Sequence, residues 1–274
     1  MSIGKKYIIG TGWWCTNKDT RDAKFLNGED YIRSKAFHLL WAESIRENCN
    51  PEKVVVVDSC SPIKAEWSTQ LLPYQIIELN KNAGHATNLN GSKFCGWTAS
   101  VLLSMEYTSL SDCDYYVYVE QDALLFGENI IEYCLDKIGE DTKYAFGKSE
   151  NNIQPLQQSF FIIRRDAIDE FVSRLRGIKY NDYEISPEFK FAIATSPLLY
   201  FLPHIFYKQS KSFFGKIRRR FLSSIFKYIA SYKTVPIGYG RERPIDFSRN
   251  YFYFQHGSTK ELQEYISSKE STKL

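Results

Sequence analysis

The sequence predicts an α/β fold with a mostly parallel central sheet flanked by helices and a basic helical insertion near the C-terminus. Three observations predict it. Short β-branched or aromatic runs bounded by turn residues recur through the first half of the chain, and segments of helical period separate them. Their succession reads β, α, β, β, α, β, the alternation that a parallel sheet with both faces covered requires. The third is a stretch from 189 to 241 that carries ten basic residues and no acid.

Taken in order, residues 6–10 (KYIIG), 53–58 (KVVVVD), 74–79 (YQIIEL) and 115–119 (YYVYV) read as strands. They are nearly continuous apolar runs, as expected of strands buried on both faces. Helical spacing covers 31–48 and 96–108. Beyond Asp122 the pattern predicts a helix over 128–138, a strand over 159–163 and a helix over 166–175, a second layer of the same domain. A segment punctuated by Gly and Pro, 236–244, then leads to an aromatic strand at 251–254, to His256 and to a polar helical end.

Composition narrows the class. At 274 residues, 43% hydrophobic and 24% charged, the chain is neither disordered, collagenous nor coiled coil. The length suits one large domain, with soft divisions at 1–195, 196–234 and 235–274. Aromatics at 16% exceed what a minimal core needs and are common where flat rings are held. Six cysteines without a CxxC pair, and no leader of charged-then-apolar type, lead us to expect a reduced cytoplasmic protein. No uncharged apolar run approaches the roughly 18 to 20 residues of a transmembrane helix.

The basic stretch behaves as a separate electrostatic object: the rest of the chain holds 25 basic residues against 32 acidic ones. Within 200–233, ten aromatics alternate with eight Lys or Arg. An anionic membrane surface is the first expectation for this pattern. An ordinary amphipathic helix with its aromatic face in the core is the second, and nucleic acid the third.

The residues richest in chemistry lie at 114–127, where an apolar strand ends in Glu120, Gln121 and Asp122. Two acids one residue apart at the carboxyl end of a central strand need positive charge beside them. A divalent cation carrying a diphosphate supplies it; so would a nearby Arg or Lys, or a helix cap. Downstream, 238–246 (GYGRERPID) reads as a flexible loop presenting Arg241 and Arg243. These are either forks for phosphate oxygens or members of an internal ion-pair network with Glu242 and Asp246.

At Glu120-Gln121-Asp122 the sequence resembles nucleotide-sugar glycosyltransferases of the GT-A fold, whose DxD motif ends a central strand. The resemblance spans roughly 5–190 and the segment around His256. It implies a glycosyltransferase that moves a sugar from a nucleotide-diphosphate donor to a glycan or lipid-linked acceptor, with Mn²⁺ or Mg²⁺ on Asp122, Glu120 and His256. It also implies donor contacts at Asp58, which ends VVVVD, and at Asn82 in the Asn-Ala-Gly-His segment. If the reaction inverts configuration it implies a base at Glu188, with Glu184 second. The residues alone explain Asp58 equally well as a turn or cap residue, and Ser186-Pro187-Glu188 as a capped helix start. Two other readings share these features: a sugar-phosphate nucleotidyltransferase, for which 10–21 (GTGWWCTNKDTR) is a poor triphosphate loop, and a non-enzymatic membrane- or RNA-binding module.

Overall fold

The structure is a computed structural model that describes residues 4–16, 30–148, 154–210 and 212–272. The main sheet contains β1 (Tyr7–Trp13), β2 (Lys53–Asp58) and β3 (Tyr74–Glu78), with a two-residue hairpin, β4 (Gly84–His85) and β5 (Asn88–Leu89), following β3. Next come β6 (Tyr115–Val119), β7 (Ala123–Phe126), β8 (Tyr144–Gly147) and β9 (Gln157–Arg164). Three short strands close the series: β10 (Lys233–Thr234), β11 (Tyr239–Gly240) and β12 (Phe252–Gln255).

Seven strands form the main sheet in the order β10-β8-β9-β6-β1-β2-β3. All run in one direction except β9, which is antiparallel to both β6 and β8. The predicted mostly parallel α/β sheet is therefore what forms. A second, three-stranded sheet, β11-β12-β7, lies beside it.

Helices α1 (Phe37–Asn48), α2 (Gly96–Ser109), α3 (Ile130–Ile138) and α4 (Ile168–Gly177) cover the sheet, followed by α5 (Pro187–Thr195), α6 (Pro197–Phe201), α7 (Phe213–Ile229) and α8 (Thr259–Thr272). Alternating β-strand side chains feed a small cluster of Ile8, Val55, Val57 and Cys113 and two large cores. One joins Ile9, Val54, Val56 and Val117 to α1, α3 and the small sheet; the other joins Tyr116, Tyr118 and Phe161 to α2, α4 and α5. Helix α2 reaches the sheet through small residues. Its Ser100 and Ser104 lie over Gly12 and Gly10, where any Cβ would collide with those hydroxyls. Ser104 Oγ and Tyr116 Oη share a 2.8 Å hydrogen bond beneath it.

Three expectations shift in detail. The helix expected over 31–48 is divided, a 3₁₀ turn at Asp30–Arg33 preceding α1, because Ser34 N and Phe37 N bond to carbonyls three residues back, at Tyr31 and Ser34. The apolar run after Asp122 forms β7 before the helix begins. The segment 196–234 holds α6, a 3₁₀ turn at His204–Tyr207 and α7, then ends by adding β10 to the edge of the main sheet beside β8. Residues 17–21 of the triphosphate-loop reading lie outside the described residues.

Asp182 and Lys190 form a fully buried ion pair at 2.6 Å, and Asp182 also accepts from Cys95 N at 2.8 Å. The pair ties the first turn of α5 to the start of α2. Removing one partner strands a buried charge, so Asp182→Ala should destabilise by about 3–5 kcal/mol in urea denaturation. The double variant Asp182→Ala/Lys190→Met should recover part of that loss. A cost for the single variant below about 1 kcal/mol contradicts the assignment.

Candidate active site

The chain leaves the main sheet at Val119 and enters the small one at Ala123, so Glu120, Gln121 and Asp122 form the joint between them. Ala123 N donates to Glu120 O at 2.9 Å, closing a tight turn, and Trp41 Nε1 donates to the same carbonyl at 3.1 Å. Antiparallel pairing sets Gln255 of β12 opposite Ala123. That register delivers Gln255 and His256 to the joint from 135 residues along the chain.

Gln255 Nε2 donates to Glu120 Oε2 at 2.6 Å and to Asp122 Oδ1 at 3.0 Å. Its Oε1 accepts from Arg241 Nε at 3.0 Å. His256 Nε2 lies 3.3 Å from Asp122 Oδ2, and His256 takes a φ of 57°, left-handed backbone that is uncommon outside glycine. Strain of this kind concentrates at functional sites. Gln121 anchors the joint from the other side: its Oε1 accepts from Trp14 N at 2.7 Å, and its Nε2 donates to Trp14 O at 3.1 Å.

A cavity of about 330 Å³ opens over these residues, at the carboxyl ends of β1, β2 and β6. That is where open α/β sheets bind ligands. Trp14 and Trp97 give it aromatic walls, and the β4–β5 hairpin contributes Asn82, Gly84, His85 and Asn88. Gly84, the first residue of β4, takes a φ of 82°, and a Cβ there would lie 2.3 Å from Asn88 O. Gly96 and Trp97 bring the positive N-terminal end of α2 to the rim.

The electrostatics of the floor are unbalanced. Burial, and next the Asp122 carboxylate, push Glu120 up to about 8; Arg241 and the Gln255 amide oppose the shift. Burial lowers His256, with Arg241, Arg33 and Arg243 adding to the effect and Asp122 opposing it. The imidazole is therefore neutral at neutral pH, the form that binds metals. Arg33 is buried and coupled to Asp122, and burial lowers its pKa while Asp122 raises it.

Of the residues singled out in the sequence, Asn82, Glu120, Asp122, Arg241 and His256 converge on this cavity. Glu188 lies within electrostatic reach of Glu120 and His85. Its Oε1 accepts from Gln154 Nε2 at 2.6 Å, whereas Oε2 is buried with no hydrogen-bond partner among the described residues. It sits in the first turn of α5 with Pro187 before it, although the Ser186 side chain makes no cap.

Three others do not converge. Asp58 is buried outside the cavity lining, accepting from Ser61 N at 2.8 Å and Lys64 Nζ at 2.7 Å. Its neighbour Ser59 lines the cavity instead. Glu184 is held by Lys208 at 2.9 Å and by Asn181 N at 3.1 Å, and the Lys208 contact lowers its pKa. Arg243 is spent structurally: it pairs with Glu261 and donates to the carbonyls of Gln255 at 2.8 Å and Glu242 at 2.9 Å. The ion-pair alternative describes Arg243 in kind, but its acid comes from α8. Sequence reasoning missed Gln255, Gln121 and Arg33. Gln255 alone carried a signal, its place beside His256 at the end of an aromatic run.

No known family's sequence profile matches the chain, and no curated protein matches it. Solved structures do. The chain is similar to a mannosyltransferase, PcManGT from Pyrobaculum calidifontis in complex with GDP-Man and Mn²⁺, at TM-score 0.44 and 11% identity over 71% of this chain and 53% of that one. It is similar to S. aureus TarS 1–349 in complex with UDP at TM-score 0.46 and 10% identity, over 96% and 64% of the two chains. The glycosyltransferase GlyE of Streptococcus pneumoniae TIGR4 follows at 0.41 and 13%, over 85% and 45%. The chain thus spans about half to two thirds of the length of these structures. With TM-scores below 0.5 the likeness is loose, and the functional reading rests on the site itself.

The buried acid pair has a pH signature. Because the folded pKa of Glu120 is raised above its ordinary 4.5, its ionisation destabilises the ligand-free fold progressively as pH rises from about 4.5 to about 8. In chelator-treated protein, Glu120→Gln should therefore raise the thermal midpoint relative to wild type at about pH 8 and lose that advantage near pH 4.5. A difference that is constant across this range contradicts the assignment.

Proposed function

We propose that the protein is a glycosyltransferase that moves a sugar from a nucleoside-diphosphate donor to a glycan or lipid-linked acceptor, in the synthesis of a surface polysaccharide or related glycan. The observation that carries this reading is the joint itself: Glu120, Asp122, His256 and Arg241 line one cavity with Trp14, Trp97 and a helix N-terminus, and buried Gln255 bonds to both acids and to Arg241 behind them. Anionic oxygens, an aromatic base and a sugar ring are the chemistry such a cavity accepts.

A divalent ion, Mn²⁺ or Mg²⁺, fits the donor set. Among the described residues no three His, Cys, Asp or Glu side chains gather into a metal cluster. An ion that arrives with a diphosphate needs only one or two protein ligands, and Asp122 with the neutral His256 would supply them, Glu120 standing beside. Burial and the Asp122 carboxylate raise Glu120 even with Arg241 beside it, and a cation between the two acids would offset that repulsion. When bound, the ion offsets the negative charge that develops on the departing diphosphate.

The chain's own residues do the rest. Gln255 holds the two carboxylates in place and orients Arg241. Arg241 and the α2 N-terminus bind phosphate oxygens and stabilise the leaving group. Trp14 and Trp97 hold flat faces of base or sugar and exclude water. Glu188, outside the cavity lining but within electrostatic reach of Glu120 and with Oε2 unpartnered among the described residues, takes the proton of the acceptor hydroxyl if the reaction inverts configuration.

Release of nucleoside diphosphate from a panel of nucleotide sugars tests the reading. One donor should be turned over, and Asp122→Ala should lower kcat/KM by about 100-fold or more. Arg241→Ala should lower it by about 10- to 100-fold, mainly in kcat. Glu188→Gln should depress transfer while leaving donor KM within about twofold. Full activity in Asp122→Ala contradicts the proposal.

A further inference from the structure

The largest feature outside the cavity is on α7 and the segment before it. Among the described residues, nine of the fourteen exposed large apolar side chains lie between 198 and 221. Phe201 is 81% exposed, Phe213 72%, Phe214 81% and Phe221 65%. Monomeric proteins seldom leave such a patch uncovered without a use for it.

Helical spacing accounts for the patch. Phe213, Phe214, Ile217 and Phe221 follow one another at i, i+1, i+4 and i+8 and form one ridge of α7. The opposite ridge is already used. Phe226 is buried with its ring 5.3 Å from Phe189 of α5 and 5.4 Å from Tyr207, and Leu222 and Ile229 pack into the same core. Arg218 Nη2 donates to Lys208 O at 2.6 Å, fastening α7 to the preceding segment. The exposed ridge is therefore held out on a firmly seated helix, with exposed Leu202, Ile205 and Phe206 adjoining in sequence.

Its charge is one-sided. No acid occurs from 189 to 241, and exposed Arg220 flanks the ridge with no acidic partner among the described residues. Lys216 and Arg219 belong to the same run but their side chains lie outside the described ones. No helix among the described residues is long and apolar enough to cross a membrane, so whatever the ridge enters, α7 does not span it.

We propose that this face docks on an anionic lipid bilayer, with the Phe213–Phe221 ridge of α7 in the interfacial layer and Arg220 against lipid phosphates. Apolar bulk beside unpaired basic charge matches hydrocarbon beneath an anionic headgroup layer. Nucleic acid suits the face less well: the exposed Phe side chains stand among Leu198, Leu202, Ile205 and Ile217, which offer no stacking plane, whereas a bilayer takes both kinds.

Flotation of the full chain with vesicles, read with no nucleotide present, tests the proposal. Binding to vesicles of mixed phosphatidylglycerol and phosphatidylcholine should be about tenfold or more tighter than to phosphatidylcholine alone, and should weaken as salt rises. Phe214→Ser/Phe221→Ser, at exposed positions that leave the core intact, should reduce it about tenfold or more with an unchanged thermal midpoint. Arg220→Gln should weaken binding to the anionic vesicles and leave binding to neutral ones unaltered. Equal binding to both vesicle types overturns the proposal, as does undiminished binding of the double Phe variant. So does a self-association of the wild type that the Phe variant abolishes, which assigns the ridge to a second copy of the chain. Loss of docking leaves nucleotide turnover in solution untouched, so the two readings fail separately.

Discussion

The repulsion between Glu120 and Asp122 is the constraint around which the rest of the site is arranged. Two carboxylates one residue apart at the end of a buried strand are unfavourable unless donors face both. Gln255 faces both with a single amide nitrogen and hands its oxygen to Arg241. The amide cannot cancel charge, however, and Glu120 remains raised. Hydrogen bonding therefore leaves the two buried acids in mutual repulsion, the feature on which the proposed cation site rests.

Secondary structure supplies the precision. The joint exists because β6 and β7 belong to different sheets, and the β7–β12 register sets Gln255 opposite Ala123. A slip of one residue would turn Gln255 away from the acids. Stacked Phe126 and Phe252, 4.8 Å between centroids, help pin that register from the far end of the ladder. Tyr265 of α8 donates to Leu125 O at 2.8 Å, so the C-terminal helix braces the same strand.

Much of this was legible in the sequence. Five of the seven main-sheet strands, β1, β2, β3, β6 and β9, announce themselves as apolar runs, and the EQD joint, Arg241 and His256 lie where their residue types and order suggest. What escaped was whatever depended on partners from elsewhere in the chain. Strands β8, β10 and β11 are two to four residues long and form only because a neighbour is there to pair with. Gln255, although it stands beside His256, shows its role only once the register sets it against both acids. Arg243 and Glu184 looked as available as Arg241 and Glu188, but Glu261 and Lys208 occupy them. In the basic stretch, periodicity could not decide between core and surface because α7 has an apolar ridge on each side.

Calorimetric titration of the full chain with UDP, GDP, CDP and dTDP, with and without Mn²⁺, tests the central claim most directly. The account predicts that one nucleotide binds, that binding requires the metal, and that it disappears in Asp122→Ala. Binding of no nucleotide, or binding indifferent both to Mn²⁺ and to the loss of Asp122, would contradict it.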